Sequence, residues 1–238
     1  MQSSSGLSRR EFVRLSAAAV GAAGLAQAAK AEGADLQSIR PAPDAVLASL
    51  LEGNKRFIEG KLEHPRRKPE DFAPLAEGQE PLAVIVGCAD ARVAPELIFD
   101  QGVGDLFVVR VAGNVVGGTG VPLKGSIEYG VAELNARLIM VLGHSQCGAV
   151  KAAIQHIDRQ DGPPGSIAGL VDLIKPAVAS VEGKPGDQLE NAIRANVGAG
   201  VERLKSLEPI LADRINKGEL KVVGAVYDLR TGRVQVVM

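Results

Sequence analysis

Apolar and polar positions alternate along this chain in two rhythms, and each rhythm predicts a kind of element. From Asp44 to Gly60 the apolar residues Val46, Leu47, Leu50, Leu51, Phe57 and Ile58 recur at helical spacing, with Gly60 as a stop. A polar, proline-rich stretch from His64 to Pro81 follows. Three short apolar runs then come at intervals: Leu82 to Cys88, Leu106 to Val111 and Leu138 to Gly143. Apolar runs of this length bounded by turn residues read as buried parallel strands, and the first and third runs are of that kind; Leu106 to Val111 reads as a strand between them. Between them lie a short helix at Pro95 to Gln101, with Pro95 in its first turn, and a helix at Ser126 to Asn135. A further helix begins after Gly148.

Beyond the loop Asp161-Gly162-Pro163-Pro164-Gly165, helical patterns cover Ile167 to Val181 and Asp187 to Leu207, with Pro176 expected to kink or end the first. Leu220 to Tyr227 and Arg233 to Val237 read as strands joined by a hairpin-like turn over Asp228 to Gly232. Strands alternate with helices until that last pair. The fold class is therefore α/β: a mostly parallel sheet with an antiparallel edge strand, flanked by helices. There is no internal repeat and no linker that divides the chain.

The N-terminus reads as a targeting segment rather than as fold. Ser8-Arg9-Arg10-Glu11-Phe12-Val13-Arg14 is a positive region with a twin arginine, and an Ala/Gly-rich apolar stretch runs from Leu15 to Ala28. Small-residue cleavage sites follow at Ala26-Gln27-Ala28 and Ala29-Lys30-Ala31. The stretch resembles a twin-arginine export signal. The expected organisation is a signal peptide over residues 1–31 and one domain over residues 32–238, delivered to the periplasm.

Composition excludes more than it names. A formal net charge of -1 leaves no electrostatic footprint for nucleic acid or anionic membrane. No tryptophan and few other aromatics argue against stacking platforms. Arg66-Arg67-Lys68, between Pro65 and Pro69, reads as a solvated loop. Gly118-Thr119-Gly120 lacks the third glycine of a dinucleotide fingerprint, because Leu123 stands in its place. No membrane contact is expected once the signal is removed.

Two strand ends carry the chemistry. Val84-Ile85-Val86-Gly87-Cys88 and Met140-Val141-Leu142-Gly143-His144 share one order: an apolar run, a glycine, then a metal-capable side chain. Cys147 follows three residues after His144, and it and Cys88 are the chain's two cysteines. If the two strands are neighbours, their carboxyl ends lie about 5 Å apart, where open α/β sheets place their sites. Two thiolates and an imidazole then form a zinc site with a vacant fourth position. A Cys88–Cys147 disulfide is the alternative in an oxidising compartment, but it leaves the His-x-x-Cys spacing unexplained. In Cys88-Ala89-Asp90-Ala91-Arg92, the aspartate and arginine leave the strand end at alternate positions and can pair.

Cys88-Ala89-Asp90-Ala91-Arg92 with His144-Ser145-Gln146-Cys147-Gly148 resembles the paired motifs of the β-class carbonic anhydrases. The likeness extends to Gly53-Asn54-Lys55-Arg56-Phe57, to Asp105-Leu106-Phe107-Val108-Val109-Arg110 and to Tyr227-Asp228-Leu229-Arg230-Thr231-Gly232. The resemblance implies one zinc ion per chain held by Cys88, His144 and Cys147, with Asp90 and Arg92 as a catalytic dyad. It implies Asp90 as a conditional fourth ligand in a closed state of the site. It implies a substrate pocket at Gln79, Phe107, Tyr129 and the backbone N–H of Gly148, and reversible hydration of carbon dioxide to bicarbonate. It further implies a homodimer or higher homo-oligomer in which N-terminal helices embrace a neighbour. Relatives with the same metal site hydrolyse carbonyl sulfide or carbon disulfide, which is one alternative; a non-catalytic zinc-binding protein is another. The family usually has serine where this chain has Ala91, a departure that bears on the loop carrying the dyad rather than on zinc. His64 and His156 are candidate proton shuttles only in that histidine titrates near neutrality.

Overall fold

A computed structural model describes residues 40–118, 120–157 and 162–238. The twin-arginine segment and both cleavage sites lie outside the described residues. The elements described below all lie within the unit Ala42–Met238.

Five strands form one sheet in the order β2-β1-β3-β4-β5. They are β1 (Ala83–Gly87), β2 (Leu106–Arg110), β3 (Leu138–His144), β4 (Lys221–Tyr227) and β5 (Val234–Val236). The first four are mutually parallel and β5 is antiparallel to β4, as the alternation of elements requires. Every residue of β1 and β3 is buried, which is why these segments read as unbroken apolar runs.

The helices are α1 (Pro43–Glu59), α2 (Pro95–Ile98), α3 (Val121–Ala132), α4 (Gly148–Gln155), α5 (Ser166–Ala179), α6 (Gln188–Lys205) and α7 (Ile210–Asn216). One face of the sheet packs Ile85, Met140, Leu142 and Tyr227 against Val46 and Leu50 of α1 and against Ile98 and Phe99. The other packs Val84, Val86, Ile139 and Val141 against Ile127 and Val131 of α3, Val197 and Leu204 of α6 and Leu211 of α7. A third cluster gathers Cys88, Val115, Cys147, Val150, Ile174 and Ile193.

Helix α1 ends at Gly60 in the left-handed conformation (φ 68°), as its glycine stop predicts. Its buried face includes Gly53, where a Cβ would stand 1.8 Å from the carbonyl oxygen of Phe99, so only glycine lets the helix sit this close. The neighbouring Asn54 donates to the carbonyls of Ile98 and Gly232 and accepts from the Val234 N–H. That one side chain joins α1 to α2 and to the β4–β5 hairpin.

Several elements differ from expectation. Helix α3 begins at Val121 rather than Ser126, because Pro122 is favourable in a first turn, and it stops before Asn135, which takes a left-handed φ of 55°. Pro176 neither ends nor visibly interrupts α5, which continues to Ala179. Pro176 and Asp172 are both exposed, so the carbonyl that loses its helical partner faces water. Helix α7 has only seven residues, too few for a periodic signal. Arg66 and Arg67 are not simply solvated: Arg66 pairs with Asp105, and Arg67 donates to the carbonyls of Glu96 and Gln101. Arg67 thereby ties this loop to the chain around α2, where the Glu96 carbonyl also accepts from the Gln101 N–H.

Candidate metal centre

Strands β1 and β3 are direct parallel neighbours, with Gly87 opposite Leu142. Cys88 follows β1 immediately, and His144 closes β3 two residues beyond Leu142. The chain then turns through Gln146, which takes a left-handed φ of 58°, and Cys147 immediately precedes α4. This geometry converges Cys88 Sγ, an imidazole nitrogen of His144 and Cys147 Sγ within 4.8 Å of one another. Relative exposures are 4% for Cys88, 0% for His144 and 1% for Cys147, so the donors face an interior point. Both cysteines are free, and the structure contains no bridge between them.

The surroundings prepare these groups for a cation. His144 Nδ1 lies 2.9 Å from the carbonyl oxygen of Ser145, which holds the proton on Nδ1 and leaves the Nε2 lone pair free. Among the described residues that buried Nε2 has no hydrogen-bond partner. An orphaned nitrogen beside two thiols is costly in an empty protein interior and is satisfied by a metal. The hydrogen bond to Cys147 pulls the Cys88 thiol down, against burial, with His144 and the Gly113 N–H (3.2 Å from Sγ) adding to the effect. Cys147 is pushed up by the same hydrogen bond and by burial. Two thiols this close, both buried, cannot both ionise without a compensating positive charge. The donor set, two sulfurs and one imidazole, fits zinc with one coordination position left over.

Beside the donors stands the dyad. Arg92 Nε and Nη2 donate to the two oxygens of Asp90 at 2.9 and 2.7 Å, and the Arg92 N–H donates to Oδ1 at 3.0 Å. The Arg92 guanidinium chiefly holds the Asp90 carboxyl far below the usual carboxylate range. Asp90 Oδ2 is nevertheless only 3.8 Å from His144 Nε2. The carboxylate therefore lies beside the metal position while bound to its arginine.

The expected pocket residues are placed differently. Gly148 adjoins Cys147 as the first residue of α4. The rings of Phe107 and Tyr129 neighbour each other, with centroids 6.1 Å apart. Phe107, however, is opposite Val84, four residues before Cys88, or about 13 Å back along the strand. Tyr129 is 48% exposed. Gln79 lines a separate open depression with Arg66, Leu75 and Asp105. Within one chain, Gly148 joins the metal cluster and Gln79, Phe107 and Tyr129 do not. Nor do the histidines proposed as shuttles: His64 is bonded to Arg67, and His156 lies past the far end of α4.

Three supporting residues have no role assigned from sequence, although Arg110 lies in one of the runs that carry the resemblance. Gly113 donates to the Cys88 sulfur, Asn196 donates to the carbonyl of Gly113, and Arg110 donates to the carbonyls of Cys88 and Asp90. Only Arg110 carried a signal, as a charge terminating an apolar strand.

Fold and site together define a metalloenzyme centre at the carboxyl edge of an open α/β sheet. Residues 83–234 match the family model described as carbonic anhydrase. Carbonic anhydrase 2 of Mycobacterium tuberculosis is 42% identical over 191 residues, covering 80% of this chain and 91% of that protein. The carbonic anhydrase of Mycolicibacterium smegmatis is 38% identical over 194 residues, covering 82% and 93%. Among solved structures, the β-carbonic anhydrase CcaA superposes with a TM-score of 0.63 at 28% identity, covering 80% of this chain and 94% of that one. One of two tetrameric β-carbonic anhydrases from Sordaria macrospora gives 0.64 at 30% identity, covering 72% and 87%. The chain belongs to the β-class carbonic anhydrase family.

Proposed function

We propose that this protein is a zinc carbonate dehydratase that interconverts carbon dioxide and bicarbonate. The observation that carries the reading is the convergence of Cys88, Cys147 and the unpartnered Nε2 of His144 beside an arginine-held carboxylate. Cys88, His144 and Cys147 would hold the metal. When bound, zinc supplies the Lewis acidity that makes a nucleophile of water near neutral pH. Asp90, kept ionised by Arg92, accepts a hydrogen bond or a proton at the reacting position. The backbone N–H of Gly148, at the start of α4, offers a donor to an oxygen of bicarbonate. A closed zinc store has no use for the Asp90–Arg92 pair, and this favours an enzyme.

The same reading takes the protein as a homodimer or larger homo-oligomer. Strand β2 is an outer edge, and its residues Leu106 to Val109 are apolar yet only half-buried. Among the described residues no strand pairs with this edge, and such an edge invites a second copy. Phe107 and Tyr129 lie on this side and are read as the apolar wall of the substrate pocket, with Gln79 as its donor. Export by the twin-arginine route to the periplasm, and a mature domain of residues 32–238, rest on Arg9, Arg10 and the small-residue sites. That route carries folded proteins, so a metal loaded before export shields both thiolates from oxidants. Among the described residues no helix is long and apolar enough to cross a membrane. Oxygen-isotope exchange between carbon dioxide and water, measured on zinc-loaded protein with carbonyl sulfide hydrolysis alongside, tests the reading. Rapid exchange is expected; its absence, or faster turnover of the sulfur substrate, overturns it.

A further inference from the structure

Arg110 closes β2, opposite Gly87 of β1, and its side chain reaches across to the loop that carries the dyad. Nε donates to the carbonyl oxygen of Cys88 at 2.9 Å, and Nη2 donates to that of Asp90 at 2.6 Å. Carbonyls two residues apart in an extended segment point to one side, and the planar guanidinium fork matches that spacing. The main chain adds two bonds to the same step: the Val111 N–H donates to Gly87 and the Ala89 N–H to Val111. Ala91 has no side-chain donor or acceptor with which to brace the loop itself.

We propose that Arg110 is a positioning residue for the Asp90–Arg92 pair: it fixes the backbone between the metal ligand Cys88 and the carboxylate so that Asp90 stays with Arg92. The proposal rests on the zinc-enzyme reading and deepens it. Asp90 Oδ2 stands 3.8 Å from the nitrogen that faces the metal position, so a small shift of the loop brings the carboxylate into contact with the ion. Arg92, on the same loop, moves with Asp90 and cannot fix where the pair sits. Arg110 is anchored to a different strand and can.

Arg110→Met in the full chain keeps the length of the stem and removes both donors. Cobalt(II) is loaded in place of zinc. The expected result is unchanged metal content of about one ion per chain, with a d–d absorption band altered by a carboxylate ligand. In the metal-free protein, the Arg92 amide that donates to Asp90 Oδ1 exchanges with solvent faster, by about 10-fold or more. Arg110→Lys, which retains the charge but replaces the planar two-nitrogen fork with a single ammonium, shifts both readouts in the same direction by less. Wild-type absorption and wild-type amide exchange in Arg110→Met overturn the proposal. So does loss of metal from a folded Arg110→Met, which would make Arg110 a support of Cys88 alone. If Arg110→Met does not fold, wild-type values for both readouts in Arg110→Lys overturn it. Should the zinc-loaded native chain fail to exchange oxygen with carbon dioxide, the enzymatic reading falls, while cobalt absorption and amide exchange still judge Arg110.

Discussion

The chemistry of single side chains at the centre comes from where each proton and each carbonyl is held. The Ser145 carbonyl commits Nδ1 of His144, and both cysteine sulfurs lie within 4.8 Å of the imidazole, so the three donors are arranged for a cation. Cys147→Ala leaves two protein ligands. Zinc measured by atomic absorption is expected to fall from about one per chain to near none, with loss of activity. Stoichiometric zinc in that variant would falsify the ligand assignment. Arg92 has a different duty. Removing it frees Asp90, which lies close enough to bind the ion. Arg92→Ala is therefore expected to keep its zinc, lose about 100-fold or more in turnover, and show Asp90 among four protein ligands in a crystal structure. Wild-type activity in this variant across the pH range would make the pair a bystander.

Among the elements, the join between α1, α2 and the loop after α1 depends on one buried carboxylate. Asp100 is 0% exposed at its side chain and accepts from Arg56 and from the Glu63 and His64 N–H groups. Burial alone would raise its carboxyl; these donors overcome that and hold it below the ordinary range. A depressed folded value sets the sign. The stabilisation is present above about pH 4, where the unfolded carboxyl is already ionised, and is lost as pH falls through the lower folded value. Asp100→Asn is expected to cost about 2–4 kcal/mol in urea unfolding at pH 7 and to flatten the acid limb of stability. An unchanged midpoint and acid limb would contradict this. Gly53→Ala tests the same join from the other side. Its new Cβ meets the Phe99 carbonyl at 1.8 Å, so α1 must move away, at about 3 kcal/mol. A neutral substitution there would mean that α1 is not held where it is described.

At the scale of the whole molecule, the export and assembly proposed above can be tested. Arg9→Lys with Arg10→Lys is expected to retain the precursor in the cytoplasm, folded and active, with its signal uncleaved. Fractionation and N-terminal sequencing check this, and normal periplasmic accumulation of the double variant would show the segment to be misread. At this scale too, the placement of Gln79, Phe107 and Tyr129 away from the cluster in one chain directs attention to the uncovered β2 edge.

Local pattern determined much of this protein. The buried strands were legible because a strand covered on both faces is apolar throughout, and α1 because one helical face is. The donor cluster was legible because soft donors at strand ends are few: two cysteines in the chain, each beside a glycine. What the sequence left open was decided by contacts between distant segments. That β1 pairs with β3 follows from how helices cover both faces of the sheet, and it alone converts two similar strand ends into one site. The roles of Gly113 and Asn196 are hydrogen bonds across 25 and 83 positions, which no spacing rule reaches. The start of α3 and the persistence of α5 past Pro176 turned on a favourable first turn and a solvent-facing carbonyl, where exposure rather than residue type sets the cost.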